Sequence, residues 1–536
     1  MAGPPERTPP VAVQDADDAP RPAPDDPAVG PEAPIAPEPR EPAAEAPSPA
    51  TGSPAEEPAR PPGRRRGLRT AAVAAVTAAL LGGYAVADAA GAAPGVLTLA
   101  PAPVVPAPPV PPAAAARPPA PVALAPLDPS APAPDPAALS AALGPLLAAP
   151  ALRGSATASV VDAATGRVLL DSGADRPQVP ASVAKLLTAT AALHVLGPDA
   201  TLATRVVAGA APGQVVLVGG GDQLLTAGRG DPGATVGRAG LADLADAVAA
   251  SLRARGSTSA SVVLDDSLTG GSPQLDASWG SGDVAAGYVA PLTSVALDAG
   301  RATPANYAPR SLDPAMDVAR TFAGLLAQRG VRADPAAVVR GGPAPAGSAV
   351  LGEVRSAPLV DVVADALAQS DNTVAESLAR LVGAATGRPP GFAASAQAVL
   401  EQARAAGVDT TGAVLVDGSG LGAGSRVPAA AFTSVLVEAV RRPELAPLLE
   451  AMPVGGLSGT LAERFADPGS APAAGVVRAK TGSLTGVSSL VGTVVDADGR
   501  QLAFAVLADG TGPTTPARQA LDAVAAALTG CGCRAG

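Results

Sequence analysis

The sequence predicts a mixed α/β domain set behind a long N-terminal extension, and three stretches predict it. "TASVVDAATGRVLLDSG" places apolar Val160, Val161, Val168, Leu169 and Leu170 on either side of a Thr165-Gly166 turn, which reads as strand, turn, strand. "QVPASVAKLLTATAALHVLG" reads as a helix with Pro180 near its start and Gly197 at its end. "GVVRAKTGSLTGVSSLVGTVVDADGRQLAFAVLADG" reads as strands around an Asp498-Gly499 turn.

In chain order, residues 1 to 62 come first, a Pro/Ala tract with twelve carboxylates, four arginines and almost no large apolar residue. Such a segment cannot bury enough apolar surface to offset the entropy of ordering it, so disorder is expected. It holds eight of the eleven net negative charges, which leaves the remainder near neutral and gives no reason to expect a nucleic-acid surface. Arg64, Arg65, Arg66 and Arg69 then precede the uncharged run from Thr70 to Ala87. That length suits a spanning helix with the arginines on the cytoplasmic side. A cleaved signal peptide would begin near the chain start, whereas this charged region lies some sixty residues in. Residues 1–67 are therefore expected to be a cytoplasmic tail with a basic stop, and 68–87 a retained membrane anchor or uncleaved signal.

Residues 88–135 are again Pro/Ala-rich, a composition that favours extended, semi-rigid chain and would space a domain away from a membrane, in the cell envelope. Globular patterning begins at 136 and runs to 530. The tail 531–536 carries the only cysteines, Cys531 and Cys533, and C-x-C at a chain end is a poor metal or disulfide framework.

The chemistry is written in rare residues. The chain has two lysines, Lys185 and Lys480; arginine supplies every other cationic side chain. Arginine stays protonated at any biological pH, whereas a buried lysine can lose its proton and act as a base. Ser182 and Lys185 are three apart on the predicted helix and share a face. "ALAQSDNTVAESLARLVG" places Ser370 and Asn372 between two helical stretches, and Asn372 is one of two asparagines, with Asn306. Lys480, Thr481 and Gly482 fall on a predicted strand. S-x-x-K, S-D-N and K-T-G thus occur in order. The single histidine, His194, lies twelve residues past Ser182 on the same helix, about 18 Å along its axis, too far to serve as its base. A lysine base needs a lowered pKa, from burial and a neighbouring cation, and Lys480 would supply that cation if its strand lies beside the helix.

This set of motifs resembles the low-molecular-mass class C penicillin-binding proteins, the D-alanyl-D-alanine carboxypeptidase/endopeptidase family of serine penicillin-recognising enzymes. The resemblance runs over roughly residues 140 to 528. It includes "VVLVGGGDQLL", "SVVLDDSL", "DGSGLGAGSRV" and "MPVGGLSGTLAERF" besides the three motifs. It implies a β-lactamase/transpeptidase-like α/β domain, a sheet with helices on both sides, formed by 136–201 and 346–530 and interrupted by an inserted domain at 202–345. Between "APLTSVALDAGR" and "DPAMDVARTFAGLLAQRG" about a dozen residues remain, where larger members carry a further β-rich segment, so a third domain is not expected.

The resemblance also implies roles. Ser182 matches the acylated nucleophile and Lys185 its general base. Ser370 matches the residue relaying a proton to the leaving D-alanine, and Asn372 the amide holding the donor peptide carbonyl. Lys480 and Thr481 match the group receiving the terminal carboxylate, with Gly482 and Ser483 beside them. The backbone N–H groups of Ser182 and Ser483 match the oxyanion hole. In the insert, Trp279, Asp283 and Tyr288 are candidates for a wall reading a diamino acid side chain. The implied activity is a serine D-alanyl-D-alanine carboxypeptidase or endopeptidase on peptidoglycan stem peptides, blocked by β-lactams and using no cofactor or metal. A catalytically silent envelope scaffold is opposed by the complete residue set. A class A β-lactamase is opposed by the long insert and by the absence of any asparagine after Asn372.

Overall fold

The computed structural model of the chain describes residues 64–90, 127–128 and 130–532, with the side chains of the first helix described from residue 75. The segment 1–62, most of the 88–135 linker and most of the 531–536 tail lie outside the described residues. Helix α1 (Arg64–Ala89) forms where the sequence predicts an anchor. That prediction is not supported further: among the described residues no helix is long and apolar enough to cross a membrane.

From Pro126 onward the chain forms one compact unit. Its central sheet is built from both ends of the chain. Strands β1 (Thr157–Asp162) and β2 (Val168–Ser172) come after helix α2 (Pro136–Leu147), and helix α3 (Lys185–Leu196) follows them. Next comes the inserted segment, with strands β3 (Thr201–Ala208), β4 (Gln214–Val218), β5 (Ser261–Asp265), β6 (Val339–Gly341) and β7 (Val350–Pro358) and helices α4 (Leu241–Ala254) and α5 (Pro314–Gln328). Helices α6 (Leu359–Ala368), α7 (Asn372–Ala385), α8 (Phe392–Ala405), α9 (Ala429–Arg441) and α10 (Pro447–Ala451) lead back to β8 (Arg478–Leu484), β9 (Val487–Val495), β10 (Gln501–Asp509) and α11 (Thr514–Thr529).

The central sheet has the order β2-β1-β10-β9-β8 and is antiparallel throughout. Its middle strands are buried on both faces, and the period of two sorts their side chains. Leu502, Phe504, Val506 and Ala508 pack with α2 and α11. Ala503, Ala505 and Leu507 pack with α3 and α6 to α9. Helices on both sides, as the sequence predicts, follow from that alternation. The hairpin between β9 and β10 turns where expected, with Gly499 at φ +85°.

The insert forms a second sheet of order β6-β5-β4-β3-β7, with α4 and α5 packed on it. Its last strand corrects the expected boundary at 345. Thr201 pairs with Pro358 and Val207 with Val350, so the sheet closes on β7 and the segment leaves the catalytic part as two adjacent strands. Gly220 of the glycine run lies so close to β3 that a Cβ there would sit 2.1 Å from the Ala203 carbonyl oxygen. The reading of the tail cysteines also needs correction. Cys531 is disulfide-bonded and buried with α2 and α11, because α11 docks on the sheet and holds the start of the tail against it.

Candidate active site

Ser182 stands on a 3-10 turn, Ala181–Ala184, that runs directly into α3. Ala181 is held at φ +50°, a conformation that costs of order 1–3 kcal/mol and persists only when its surroundings enforce it. Two glycine edges do so. A Cβ on Gly420 would sit 2.0 Å from the Ala181 carbonyl oxygen, and one on Gly482 would sit 2.6 Å from that of Pro180. The K-T-G strand β8 therefore borders the Ser182 turn, as the sequence reading required.

Lys185 and Lys480 are both fully buried. Lys185 Nζ lies 3.0 Å from Ser182 Oγ, 2.5 Å from Asn372 Oδ1 and 2.9 Å from the Ser419 carbonyl oxygen. The Asn372 amide is oriented by its other end, since Nδ2 donates to the Tyr288 carbonyl at 3.0 Å, which leaves Oδ1 for the lysine. Lys480 Nζ donates to Ser370 Oγ at 2.8 Å and to the Thr481 carbonyl at 2.9 Å. Ser370 itself has φ +57° and precedes Asp371, which caps α7 by accepting from Val374 N–H.

Asp371 is the insert's hold on the site. Its buried carboxylate pairs with Arg301 and, at 3.0 Å, with Arg310. Arg310 also donates to the Gly287 and Ala299 carbonyls. Burial alone would raise the Asp371 pKa, but Arg310 and Arg301 outweigh it and hold the group below its ordinary value.

A second buried group lies behind Lys185. Glu376, one turn after Asn372, accepts from Gly418 N–H and Ser419 N–H. Asp417 accepts from Gly420 N–H, Gly422 N–H and, at 2.8 Å, Trp279 Nε1. The two carboxylates fix the loop that offers the Ser419 carbonyl to the lysine. Burial, then Asp417, pushes Glu376 up to about 8.

Burial pushes Lys185 down to about 8, although Asp417, Glu376 and Asp371 pull the other way. Burial holds Lys480 well below its ordinary value, and Lys185 adds to that. The sequence reading expected burial and Lys480 together to lower Lys185; in the structure burial lowers Lys185, and it is Lys480 whose pKa its neighbour Lys185 depresses.

The remaining predicted residues fall at different distances from this centre. Thr481 Oγ1 bonds Thr460 Oγ1 at 2.8 Å, and Ser483 Oγ accepts from Arg518. Trp279 reaches the site through Asp417, and Tyr288 through its backbone carbonyl. The Asp283 carboxylate instead accepts from Gly280 N–H in its own loop, and His194 sits in the last turn of α3. Glu376, Asp417, Ser419, Arg301, Arg310 and Arg518 were not singled out from the sequence. Glu376 lies four residues after Asn372, on the same helix face, and could have been found by that spacing. Arg301 and Arg310 carry no local signal, because their partner is 70 and 61 residues away.

Comparison with known proteins agrees with this geometry. The sequence matches the D-Ala-D-Ala carboxypeptidase 3 (S13) family over residues 139–311 and 301–529. It is 42% identical over 403 residues to carboxypeptidase DacB of Mycolicibacterium smegmatis, covering 74% of this chain and 85% of that one. It is 31% identical over 461 residues to the D-alanyl-D-alanine carboxypeptidase of an Actinomadura species, covering 72% and 83%. In fold it is similar to the crystal structure of penicillin binding protein 4 from Haemophilus influenzae, with a TM-score of 0.58 at 21% identity over 72% of this chain and 97% of that one. The chain belongs to the D-Ala-D-Ala carboxypeptidase 3 (S13) family, the low-molecular-mass class C penicillin-binding proteins.

Proposed function

We propose that the chain cleaves D-alanyl bonds at the ends and cross-links of peptidoglycan stem peptides through an acyl-enzyme on Ser182, and that β-lactams block it by acylating the same hydroxyl. One observation carries this reading. Of the three groups around Lys185 Nζ, Asn372 Oδ1 and the Ser419 carbonyl can only accept, so a neutral lysine can take a proton from Ser182 alone. A lysine held at about 8 by burial is neutral in a useful fraction of molecules near physiological pH.

The steps follow from the same atoms. Ser182 passes its proton to Lys185 as Oγ bonds the penultimate D-alanine carbonyl carbon. The N–H groups of Ser182 and Ser483 receive the developing oxyanion. Asn372 Nδ2 gives one hydrogen to Tyr288 and keeps a second for the peptide carbonyl. As the C–N bond breaks, Ser370, which accepts from Lys480, gives its hydroxyl proton to the departing amine and is reprotonated at the expense of the proton Lys185 took from Ser182. Water then cleaves the ester and restores the Ser182 hydroxyl. The relatives named carboxypeptidases support hydrolysis as the outcome. Glu376 spends both oxygens on backbone N–H groups, which weighs against its activating water for rapid β-lactam turnover. The Ser182–Lys185 bond likewise weighs against a silent scaffold.

We place the catalytic unit outside the cytoplasmic membrane, where peptidoglycan stem peptides lie. A single assay addresses activity and placement. Intact cells producing the protein, given a membrane-impermeant stem pentapeptide or cross-linked dimer, should release D-alanine or monomers, read by mass spectrometry. Release only after lysis would overturn the placement, and none in either case the activity.

A further inference from the structure

The loop behind Lys185 is held from two sides, by Glu376 of α7 and by the insert. Within the loop, Asp417 Oδ1 accepts from Gly420 N–H at 2.7 Å, and Oδ2 accepts from Gly422 N–H at 2.7 Å and from Ser419 Oγ at 3.4 Å. Gly420 is the residue that confines the strained Ala181 beside Ser182, and Ser419 offers its carbonyl to Lys185. Among the described residues, a single side chain from outside this loop donates to Asp417. It is Trp279 of the insert, whose Nε1 lies 2.8 Å from Oδ2.

More than this bond seats the insert here. The Trp279 ring meets Phe392 of α8 edge-on, with 4.9 Å between centroids. The Arg380 guanidinium lies over the same phenyl ring at 5.6 Å and donates to Gln274 Oε1 at 2.9 Å, and Gln274 in turn pairs with Leu292. A Cβ on Gly422 would sit 2.3 Å from Ser278 Oγ, so loop and insert are in direct contact. The indole is thus fixed from several directions while its N–H reaches a fully buried carboxylate.

We propose that Trp279 is a positioning residue for acylation: through Asp417 it keeps Gly420 against the Ser182 turn and the Ser419 carbonyl on Lys185, so that the insert sets the rate of the chemical step. The Ala181 conformation lasts only while its surroundings enforce it, and Asp417 keeps the enforcing glycine in place. Without the indole N–H, Oδ2 retains the Gly422 N–H and the longer Ser419 contact, and a buried carboxylate short of a donor favours displacement of the loop. The proposal rests on the acyl-transfer reading of the site, but one of its readouts needs no reaction.

The test compares the wild type with Trp279→Phe, which keeps a ring against Phe392 and removes the N–H. Benzylpenicillin is the probe, because its side chain has no amino group for a wall reading a diamino acid to recognise. The acylation rate at saturation is expected to fall about tenfold, the lower range for a lost hydrogen bond to a charged group, while the dissociation constant of the preceding complex stays near that of the wild type. Amide hydrogen exchange, read by mass spectrometry, should rise in 417–422 and 181–185 and stay unchanged in α11. Unchanged exchange in the first two stretches, an equal rise in α11, or a loss confined to the dissociation constant overturns the proposal. Should benzylpenicillin leave no adduct on the wild type while exchange in both stretches still depends on Trp279, the tether stands and the catalytic reading fails.

Discussion

Lys185→Arg is expected to acylate at least about 10²-fold more slowly than the wild type, the lower range for loss of general acid–base catalysis. A guanidinium can still donate toward Asn372 Oδ1 and the Ser419 carbonyl, so charge and part of the bonding survive. What it cannot do is shed a proton and accept one from Ser182. The pH dependence carries the same information. Lys185 works when neutral, so the wild-type rate should climb as pH rises through about 8. Burial holds Lys185 down, and Lys480 is itself lowered well below its ordinary value, so Lys480→Ala should leave that limb near its wild-type position. Acylation rates of a chromogenic β-lactam measured across pH decide both points. A Lys185→Arg rate close to wild type, or a limb clearly displaced in Lys480→Ala, would contradict the assignments.

Asp371→Ala should cost about 3–5 kcal/mol of stability, the usual range for breaking a buried ion pair from one side. Arg310, with a side chain only 4% exposed, would lose its carboxylate, while Arg301, 11% exposed, would keep only Asp298. The folded-state pKa of Asp371 is depressed, so its contribution is present above the ordinary carboxylate range and is lost as pH falls through the depressed folded value. The gap between wild type and variant in urea unfolding should thus be full near neutrality and narrow in acid. A gap below about 1 kcal/mol at neutral pH would show that the pair does not hold the insert to the S-D-N segment.

Much of the site could be read because its chemistry needs residue types that this composition otherwise avoids. With two lysines in 536 residues, both at the centre, scarcity itself marked Lys185 and Lys480. The strand and helix periods around them fixed the two-faced sheet, since the central strands alternate between two cores. What stayed hidden was whatever depends on distant pairing. The insert boundary at Pro358 is set by the β3–β7 register, which no local pattern in 346–358 announces. Asp283, expected beside the sole tryptophan to read a diamino acid side chain, accepts from the Gly280 N–H of its own loop. Arg518 is one arginine among many until α11 folds back against Ser483.

The central claim, that Ser182 is the nucleophile activated by Lys185, is tested most directly by the site of covalent attachment after brief exposure to a penicillin, read by peptide mass spectrometry. The account predicts one adduct, on the peptide containing Ser182, absent in Ser182→Ala and slow to form in Lys185→Arg. An adduct on Ser370 or any other residue, or comparable labelling of Ser182→Ala, would contradict it.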